Sequence, residues 1–204
     1  MEPLRSSVIS SIFDRADFWF LRAQAALLGR IPCGKGCFHC CIGPFPITRL
    51  DTEELHRGIQ RLPVAQREKI EENALRQTAA MEATYPFLAD NPILDDWPDS
   101  KTDELIARFA DWPCPALQDG SCAVYEFRPV TCRTMGIPTE TDGMANGACD
   151  VQTSIPVVRL PHSLRVEEDW LADQEARLLY TVRQERSLEG DELLLPYGFL
   201  PESS

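Results

Sequence analysis

Four cysteines lie within nine residues near the start of the sequence, and their type and spacing are those of metal ligands. They are Cys33, Cys37, Cys40 and Cys41, with two glycines between the first two. A thiolate is a soft ligand that selects zinc, copper(I) or iron–sulfur clusters, and cysteines two or three residues apart can turn back on one centre. The glycines suit this, because a loop wrapped round an ion often needs a positive φ. The cluster therefore predicts a metal site.

The other cysteines of the sequence, which bring the total to eight, are Cys114, Cys122, Cys132 and Cys149. We predict that all eight thiols are metal ligands. They suffice for two four-thiolate sites, or for one cluster site and a second, smaller site. Cys40 and Cys41 add a constraint, because adjacent residues of an extended stretch point in opposite directions. We expect either that one of this pair is not a ligand or that the two face different centres.

Disulfide bonds are the alternative use of these cysteines. Secreted disulfide scaffolds are usually short chains with an export signal, whereas this chain has 204 residues. The charged residues Asp14, Arg15, Asp17 and Arg22 interrupt the apolar residues among its first thirty positions. The sequence therefore predicts neither a signal peptide nor a membrane span. We expect a cytoplasmic protein, in which such cysteine spacing favours metal or redox chemistry over disulfides.

The composition limits the classes of partner. The formal net charge is −12, and an acidic surface disfavours nucleic acids and anionic membranes, whose phosphates are bound by basic side chains. No paired histidines follow the cysteines at the spacing of a DNA-binding zinc finger. We therefore expect no nucleic acid and no membrane as partners. A metal ion is the expected ligand, and a protein partner remains open.

Hydrophobic periodicity predicts several helices. The first is expected from an N-cap at Ser6 or Ser7 to about Leu28, with Gly29 as its stop. Its apolar residues recur every three or four positions, at Val8, Ile12, Ala16, Trp19 or Phe20, Ala23 and Leu27. Such a stripe indicates a helix that packs on the core through one face.

Further helices are expected along the chain. The second begins with Asp51 as its N-cap and Glu54 as the acid of a capping box, carries Leu55 and Ile59 inward, and ends near Leu62. The others are expected over Val64–Tyr85, from Ser100 or Asp103 through Ala110, and from Val166 to Leu188 with Gly190 as the stop. By composition, the charged face of the third helix is expected to be solvated.

The segments between and after these helices are irregular. Residues 112–150 hold the last four cysteines, and a short strand is expected there at Val124–Tyr125 after an Asp119–Gly120 turn. A second strand is expected at Ile155–Leu160. The apolar segment Leu193–Leu200 is expected to dock on the body of the protein. A loop-rich stretch needs something besides backbone pairing to order it, and metal ligation supplies that.

The predicted fold is therefore mainly α, with a loop-rich cysteine core organised by metal and at most a few short strands. Its length and its 44% of hydrophobic residues are those of an ordinary single domain, here residues 1–204. The cysteine core is expected over residues 30–150. Helical segments at 1–29 and 163–204 are expected to flank it and pack on it.

The order of the cysteines and their neighbours resembles that of a known family. The chain reads Cys33-x3-Cys37-x2-Cys40-Cys41, then Cys114-Pro115, Gly120-x-Cys122-x-Val124-Tyr125-Glu126-x-Arg128-Pro129 and Cys132-Arg133. This combination is similar to that of the YkgJ-type cysteine-cluster proteins over roughly residues 30–150. The resemblance implies a domain that chelates zinc or iron. Flagellin lysine N-methylases resemble the chain in the same cysteine motif, which implies an iron–sulfur enzyme as an alternative.

Three basic side chains of this motif are candidates to contact such a centre. Four thiolates round a divalent ion leave a net negative charge, which Lys35, Arg128 and Arg133 can offset by charge-assisted hydrogen bonds to sulfur. His39 lies among the cysteines and is an alternative ligand in place of one of them. Tyr125 is expected to be a core residue.

Three functions remain open at this point. The first is a metal-binding protein, with zinc or an iron–sulfur cluster as its cofactor and a centre that is structural. The second is an iron–sulfur oxidoreductase, or a protein-modifying enzyme similar to the lysine methylases. The third is a redox sensor or metal carrier whose thiols release metal on oxidation. The first three cysteines also have the spacing of radical S-adenosylmethionine enzymes, but the chain lacks the strand–helix alternation of their barrels.

Overall fold

The computed structural model describes residues 2–27, 31, 33–137, 139–141, 144–146 and 160–201 of the chain. Three features expected from the sequence lie outside these residues. They are the end of the first helix at Leu28 and Gly29, the ligand Cys149, and the strand Ile155–Leu160 apart from its last residue. The described residues confirm a mainly α fold with a few short strands.

The helices, in chain order, are α1 Glu2–Ala26, α2 Arg49–Ile59, α3 Val64–Thr84, α4 Phe87–Asp90, α5 Asp99–Arg108, α6 Val130–Thr134 and α7 His162–Arg186. The strands are β1 Pro46–Thr48, β2 Leu117–Gln118, β3 Ser121–Cys122, β4 Thr139–Thr141, β5 Met144–Asn146 and β6 Glu192–Leu194. They form antiparallel pairs, β1 with β6, β2 with β3, and β4 with β5. Among the described helices, none combines the length and the apolar character that crossing a bilayer requires.

Helix α1 begins earlier than the sequence predicts. Its first residue is Glu2, so the expected N-cap at Ser6 or Ser7 is wrong. Pro3 explains the earlier start, because a proline suits the first helical turn, where a backbone N–H has no partner within the helix.

The apolar stripe of α1 is confirmed from Ile12 onward and packs on α7, whereas the side chain of Val8 lies outside the described part of the helix. Its buried members are Ile12, Ala16, Trp19, Ala23 and Leu27. The indole of Trp19 donates a hydrogen bond of 2.9 Å to the carbonyl of Leu164 in α7, and Arg22 pairs with Glu167 one turn further along. These contacts hold the two long helices side by side.

The capping box of α2 lies three residues before the predicted one. Thr48 is the N-cap and accepts a hydrogen bond from the backbone N–H of Asp51, while the Asp51 carboxylate accepts one of 2.9 Å from the N–H of Thr48. The predicted box of Asp51 and Glu54 is therefore wrong. The reason is β1, which ends at Thr48 and leads directly into the helix. The burial of Leu55 and Ile59 confirms the predicted inward face.

The later helices lie where the sequence predicts and differ at their ends. Helices α3 and α5 agree with the expected segments to within two residues. Helix α7 begins at His162, four residues early, because Pro161 precedes its first turn. It ends at Ser187, whose φ of 54° places it in the left-handed region that terminates helices, rather than at Gly190.

The apolar C-terminal segment docks on the body, as predicted. Strand β6 pairs with β1 in the register Pro46↔Leu194 and Thr48↔Glu192. Beyond the strand, the backbone N–H of Leu195 donates a hydrogen bond of 2.9 Å to the carbonyl of Phe45. Residues 193–199 are buried, so this segment closes the core beside α2.

A tight hairpin replaces the strand expected at Val124–Tyr125, and that prediction is wrong. The strands β2 and β3 are joined by Asp119 and Gly120, which both have positive φ, 48° and 74°. This confirms the predicted turn, but the pairing ends at Cys122, and a 3₁₀ turn follows at Tyr125–Phe127. The hairpin comprises two residue pairs, Leu117↔Cys122 and Gln118↔Ser121.

Two clusters of buried side chains meet at the cysteines. The first joins α2, α3 and the C-terminal segment, and Cys114 and Cys122 pack against it. The second joins α1 and α7, and Cys33 packs against it. The cysteine region therefore lies at the border of both clusters. The assignment of residues 1–204 to a single domain stays a prediction.

Candidate metal centre

Six thiols from four parts of the chain surround one cavity of about 40 Å³, here called the thiol cavity. They belong to Cys37, Cys40, Cys41, Cys114, Cys122 and Cys132. Cys114 lies more than seventy positions after Cys41 in the sequence. Cysteines that are distant in the sequence therefore meet in space: three come from the cysteine loop, and one comes from each of three later segments.

The cysteine loop itself is a sequence of tight turns. The N–H of Cys37 donates to the carbonyl of Gly34 at 3.0 Å, and Gly36 has a φ of 95°, which a side chain would make costly. Residues His39–Cys41 then form a 3₁₀ turn. Because that turn is not extended, Cys40 and Cys41 both line the thiol cavity, and the expected opposite orientation of the two is wrong.

A short backbone ladder joins the cysteine loop to the segment that carries Cys114. The N–H of Gly43 donates to the carbonyl of Trp112, and the N–H of Cys114 donates to the carbonyl of Cys41, each at 2.7 Å. Ile42 and Pro113 form an antiparallel bridge between them. These bonds bring the first and second groups of cysteines together through their main chains.

Cys122 and Cys132 are positioned by separate elements. Cys122 pairs with Leu117 across the β2–β3 hairpin. Cys132 lies on α6, whose first N–H, that of Val130, donates a hydrogen bond of 2.8 Å to the carboxylate of Asp51. Asp51 is 1% exposed, so one buried carboxylate both caps α2 and holds the helix that carries Cys132.

The wall of the thiol cavity is mainly apolar. Its hydrophobic members are Phe45, Leu55, Val124, Leu195 and Phe199, and its basic member is Arg128. The guanidinium of Arg128 lies 3.7 Å from the ring centroid of Tyr125 and donates through Nε to that residue's carbonyl at 2.8 Å. One positive charge is thus held beside the thiols in surroundings of low polarity.

The pKa values of the thiols reflect these surroundings. Burial, with the neighbouring thiol of Cys122, raises the pKa of Cys114 to about 12. Burial likewise raises the pKa of Cys122 and, more strongly, that of Cys132. A hydrogen bond from Cys41 lowers the pKa of Cys40 to about 7 and raises that of Cys41. Several of these thiols can be ionised together only if positive charge lies beside them. A bound metal ion provides that charge and displaces the thiol protons.

The donor set fits a zinc ion or an iron–sulfur cluster, although the side chains are not arranged as a finished coordination shell. Among the described residues, no three Cys, His, Asp or Glu side chains have the spacing of metal ligands. None of the seven described cysteines forms a disulfide bond, and six of them face one small cavity. Four thiolates suffice for either group. Binding of a metal ion or cluster therefore requires the cysteine side chains to rotate, but the cysteines themselves already lie close together.

A comparison of sequences agrees with this donor set. Residues 32–150 match the model of the CxxCxxCC family, described as "Putative zinc- or iron-chelating domain". The chain belongs to the CxxCxxCC family. The matched residues include all eight cysteines, and three residues rather than two separate Cys33 from Cys37. No curated protein and no solved structure matches the chain.

Two cysteines of the CxxCxxCC region remain to be placed. Cys33 does not line the thiol cavity but an adjoining one of about 30 Å³, together with Cys37, Cys40 and Cys132. Its carbonyl accepts a hydrogen bond of 2.8 Å from Gln24 of α1. Cys149 lies outside the described residues, so its role as a ligand stays a prediction.

The three basic residues predicted to contact the centre differ in position. Arg128 lines both cavities, and Arg133 lines the adjoining one. Lys35 is exposed, with its Nζ 3.8 Å from the carboxylate of Glu126 and 5.6 Å from the ring centroid of Tyr125. Hydrogen bonds from these side chains to sulfur stay a prediction.

Arg133 has a role that the sequence did not indicate. It is 3% exposed, and it donates to the carbonyls of Arg128 at 2.8 Å and Glu126 at 2.6 Å. It also pairs with Asp17 of α1 and, at 3.5 Å, with Glu54 of α2. The residue after Cys132 therefore ties two helices to the loop that carries Arg128.

The remaining predicted residues lie at the edge of the site. The ring of His39, the alternative ligand, stacks on Phe38 with centroids 5.1 Å apart and does not line either cavity. Tyr125, expected in the core, is half-buried and lines both cavities. Sequence reasoning missed Asp17 and the second hydrogen bond of Asp51. No local pattern signals either one, because each partner lies on a distant segment.

Proposed function

We propose that this CxxCxxCC chain binds zinc or an iron–sulfur cluster through its cysteine thiolates, and that the bound group is chiefly structural. The ligands are drawn from the eight cysteines, Cys33, Cys37, Cys40, Cys41, Cys114, Cys122, Cys132 and Cys149. The observation that carries the proposal is the meeting of six of these thiols at one cavity. Half-buried thiols with raised pKa values gain little by lying together unless a cation joins them.

The structural role follows from the elements that carry the thiols. The cysteine loop, the β2–β3 hairpin and the short helix α6 bury few large apolar side chains of their own. Their order relies on backbone hydrogen bonds and on the contacts of Asp51 and Arg133. A metal centre adds cross-links between segments that no regular sheet connects, and its binding energy then becomes folding energy.

A redox role is the second candidate, and the apolar wall of the thiol cavity favours it. A hydrophobic shell controls solvent access and hence the potential of a metal centre. In this reading the centre is an iron–sulfur cluster, and a protein partner exchanges electrons with it. The positive charge of Arg128 beside the thiols stabilises the more reduced, more negative state of such a cluster.

Elemental analysis combined with an absorption spectrum of the full chain, purified without oxygen, tests both candidates. Colourless protein that retains zinc after gel filtration would support the structural reading, because zinc has no redox chemistry. The redox reading predicts brown protein with iron and acid-labile sulfide in equal amounts and broad visible absorption. Protein that carries neither metal after purification, and binds neither zinc nor iron when these are supplied with reductant, would overturn the proposal.

A further inference from the structure

Two cavities adjoin at the cysteine loop and share a wall of sulfur. The thiol cavity and the adjoining cavity have in common the side chains of Cys37, Cys40 and Cys132. Cys114 and Cys122 face only the first cavity, and Cys33 faces only the second. Each cavity therefore has thiols of its own besides the shared ones.

The number of thiols exceeds what one centre uses. A tetrahedral ion or a cubane cluster takes four thiolates, whereas seven described cysteines line the two cavities together. Two four-coordinate ions need eight ligand positions, and seven thiolates fill them when one sulfur binds both ions. Any of the three shared cysteines can supply that sulfur, so the described cysteines alone suffice for two ions.

We propose that the chain holds two divalent metal ions of the zinc type, one in each cavity, joined by a bridging thiolate from Cys37, Cys40 or Cys132. The inference rests on the proposed function, because it presumes that these thiols bind metal. Cys114 and Cys122 serve only the ion in the thiol cavity. Cys33 serves only the ion in the adjoining cavity.

The charges around the two cavities partly agree with this arrangement. Seven thiolates and two divalent ions leave a net negative charge that nearby cations must offset. Arg128 lines both cavities, and Arg133 lines the adjoining one. The carboxylates near them are those of Asp17 and Glu54, which already pair with the arginines. Because Asp17 and Glu54 balance much of the arginine charge, the two guanidinium groups offset the negative charge of a two-metal centre only in part.

Metal stoichiometry of matched variants tests the inference. The full chain is loaded with zinc under reducing conditions, and bound zinc is measured after gel filtration. We expect two zinc ions per chain, and we expect Cys33→Ser to retain one of them. Cys122→Ser is also expected to retain one. Among Cys37→Ser, Cys40→Ser and Cys132→Ser, the variant that lacks the bridge is expected to hold neither ion tightly, and the other two are expected to retain the ion of the thiol cavity. Ser121→Ala, next to Cys122 on the exposed side of the hairpin, is the control and is expected to retain both.

Cadmium NMR of the unmodified chain provides a test that needs no variant to fold. With ¹¹³Cd in place of zinc, we expect two resonances in the region of thiolate-rich sites, and β-protons of one cysteine coupled to both. A single bound ion that survives Cys33→Ser would overturn the two-ion inference and leave the proposed function intact. Two resonances with no shared cysteine would overturn the bridge. Absence of bound metal would overturn the proposed function itself.

Discussion

The backbone N–H of Cys114 donates a hydrogen bond of 2.7 Å to the carbonyl of Cys41. This bond joins the two groups of cysteines through their main chains, so backbone hydrogen bonding brings their thiols close together. Both side chains then line the thiol cavity. Backbone pairing thus places the sulfur donors near one another. A metal ion would therefore bind to a site that is already partly formed.

Replacement of a single cavity cysteine is expected to lower both metal content and stability. Cys37→Ser and Cys122→Ser each remove a soft ligand, and the loops that they hold then lose the ordering supplied by metal. Bound metal and the melting temperature, measured on the same preparation, check this. Ser121→Ala is the control, and it is expected to change neither quantity. Unchanged metal content and unchanged melting in both cysteine variants would contradict the assignment of the ligands.

Arg133→Met is expected to destabilise the protein by about 3–5 kcal/mol, because it removes a buried charge that pairs with the buried Glu54 and leaves two backbone carbonyls without their donor. Its guanidinium pairs with Asp17 and Glu54 and donates to two backbone carbonyls. Arg133→Lys is expected to recover only part of the loss, since an ammonium cannot reproduce the planar set of donors. Denaturant unfolding measures the difference.

Arg22→Met is the control for this prediction. Arg22 also joins α1 to an acidic residue, Glu167, but its side chain is 50% exposed. Exposed ion pairs contribute about 0–1 kcal/mol, so the control is expected to unfold almost as the unmodified chain does. Equal losses for the two variants would show that the burial of Arg133 has no energetic consequence.

The free energy of unfolding is expected to fall as the pH rises through neutrality, because of Glu175. Burial, together with the nearby charge of Asp51, raises the pKa of Glu175 from 4.5 to about 7. The hydroxyl of Thr48 donates a hydrogen bond of 3.2 Å to the Glu175 carboxylate, which lowers the pKa but only partly offsets the increase. The folded state therefore holds a proton that the unfolded state has lost between these two pH values. The group favours folding at low pH, and this contribution disappears above pH 7.

Glu175→Gln tests the pH dependence, since an amide does not titrate. Between pH 5.5 and 8.5 the unmodified chain is expected to lose up to about 2 kcal/mol relative to this variant, at 1.36 kcal/mol per pKa unit. Urea unfolding at several pH values, at equal metal content, gives the two curves. For the exposed substitution Glu71→Gln, the curve of unfolding free energy against pH is expected to run parallel to that of the unmodified chain. Parallel curves for Glu175→Gln as well would refute the prediction.

Helix α3 is expected to tolerate changes of charge on its exposed face. Lys69 and Glu72 pair at 2.8 Å there, but both side chains are more than half exposed. Lys69→Ala and Glu72→Ala are therefore expected to leave the melting temperature almost unchanged. Ile70→Ala, on the fully buried side of the same helix, is expected to cost about 2–5 kcal/mol. Thermal unfolding that ranks these variants otherwise would show that the wrong face had been assigned to the core.

The sequence predicted the long helices and their buried faces well, because an apolar stripe such as that from Ile12 to Leu27 records which side meets the core. It misplaced the helix starts. Pro3 and Pro161 permit earlier first turns, and the strand ending at Thr48 moves the capping box of α2. These details depend on what precedes each helix rather than on its own periodicity.

The candidate site was predicted in its residue types but not in its geometry. Spacing alone suggested that Cys40 and Cys41 diverge, and a 3₁₀ turn turns both toward one cavity. The tether from Asp51 to the first turn of α6, and the pairing of Arg133 with Asp17, each join segments about eighty or more residues apart. Contacts between residues so far apart in the sequence cannot be predicted from local residue patterns.

X-ray absorption at the K-edge of the bound metal tests the central claim most directly. The account predicts a first shell of sulfur only, at about 2.3 Å for zinc, with a metal neighbour beyond it if two ions share a thiolate. A shell of nitrogen and oxygen, with the cysteines free to react with a thiol reagent in the loaded protein, would contradict it.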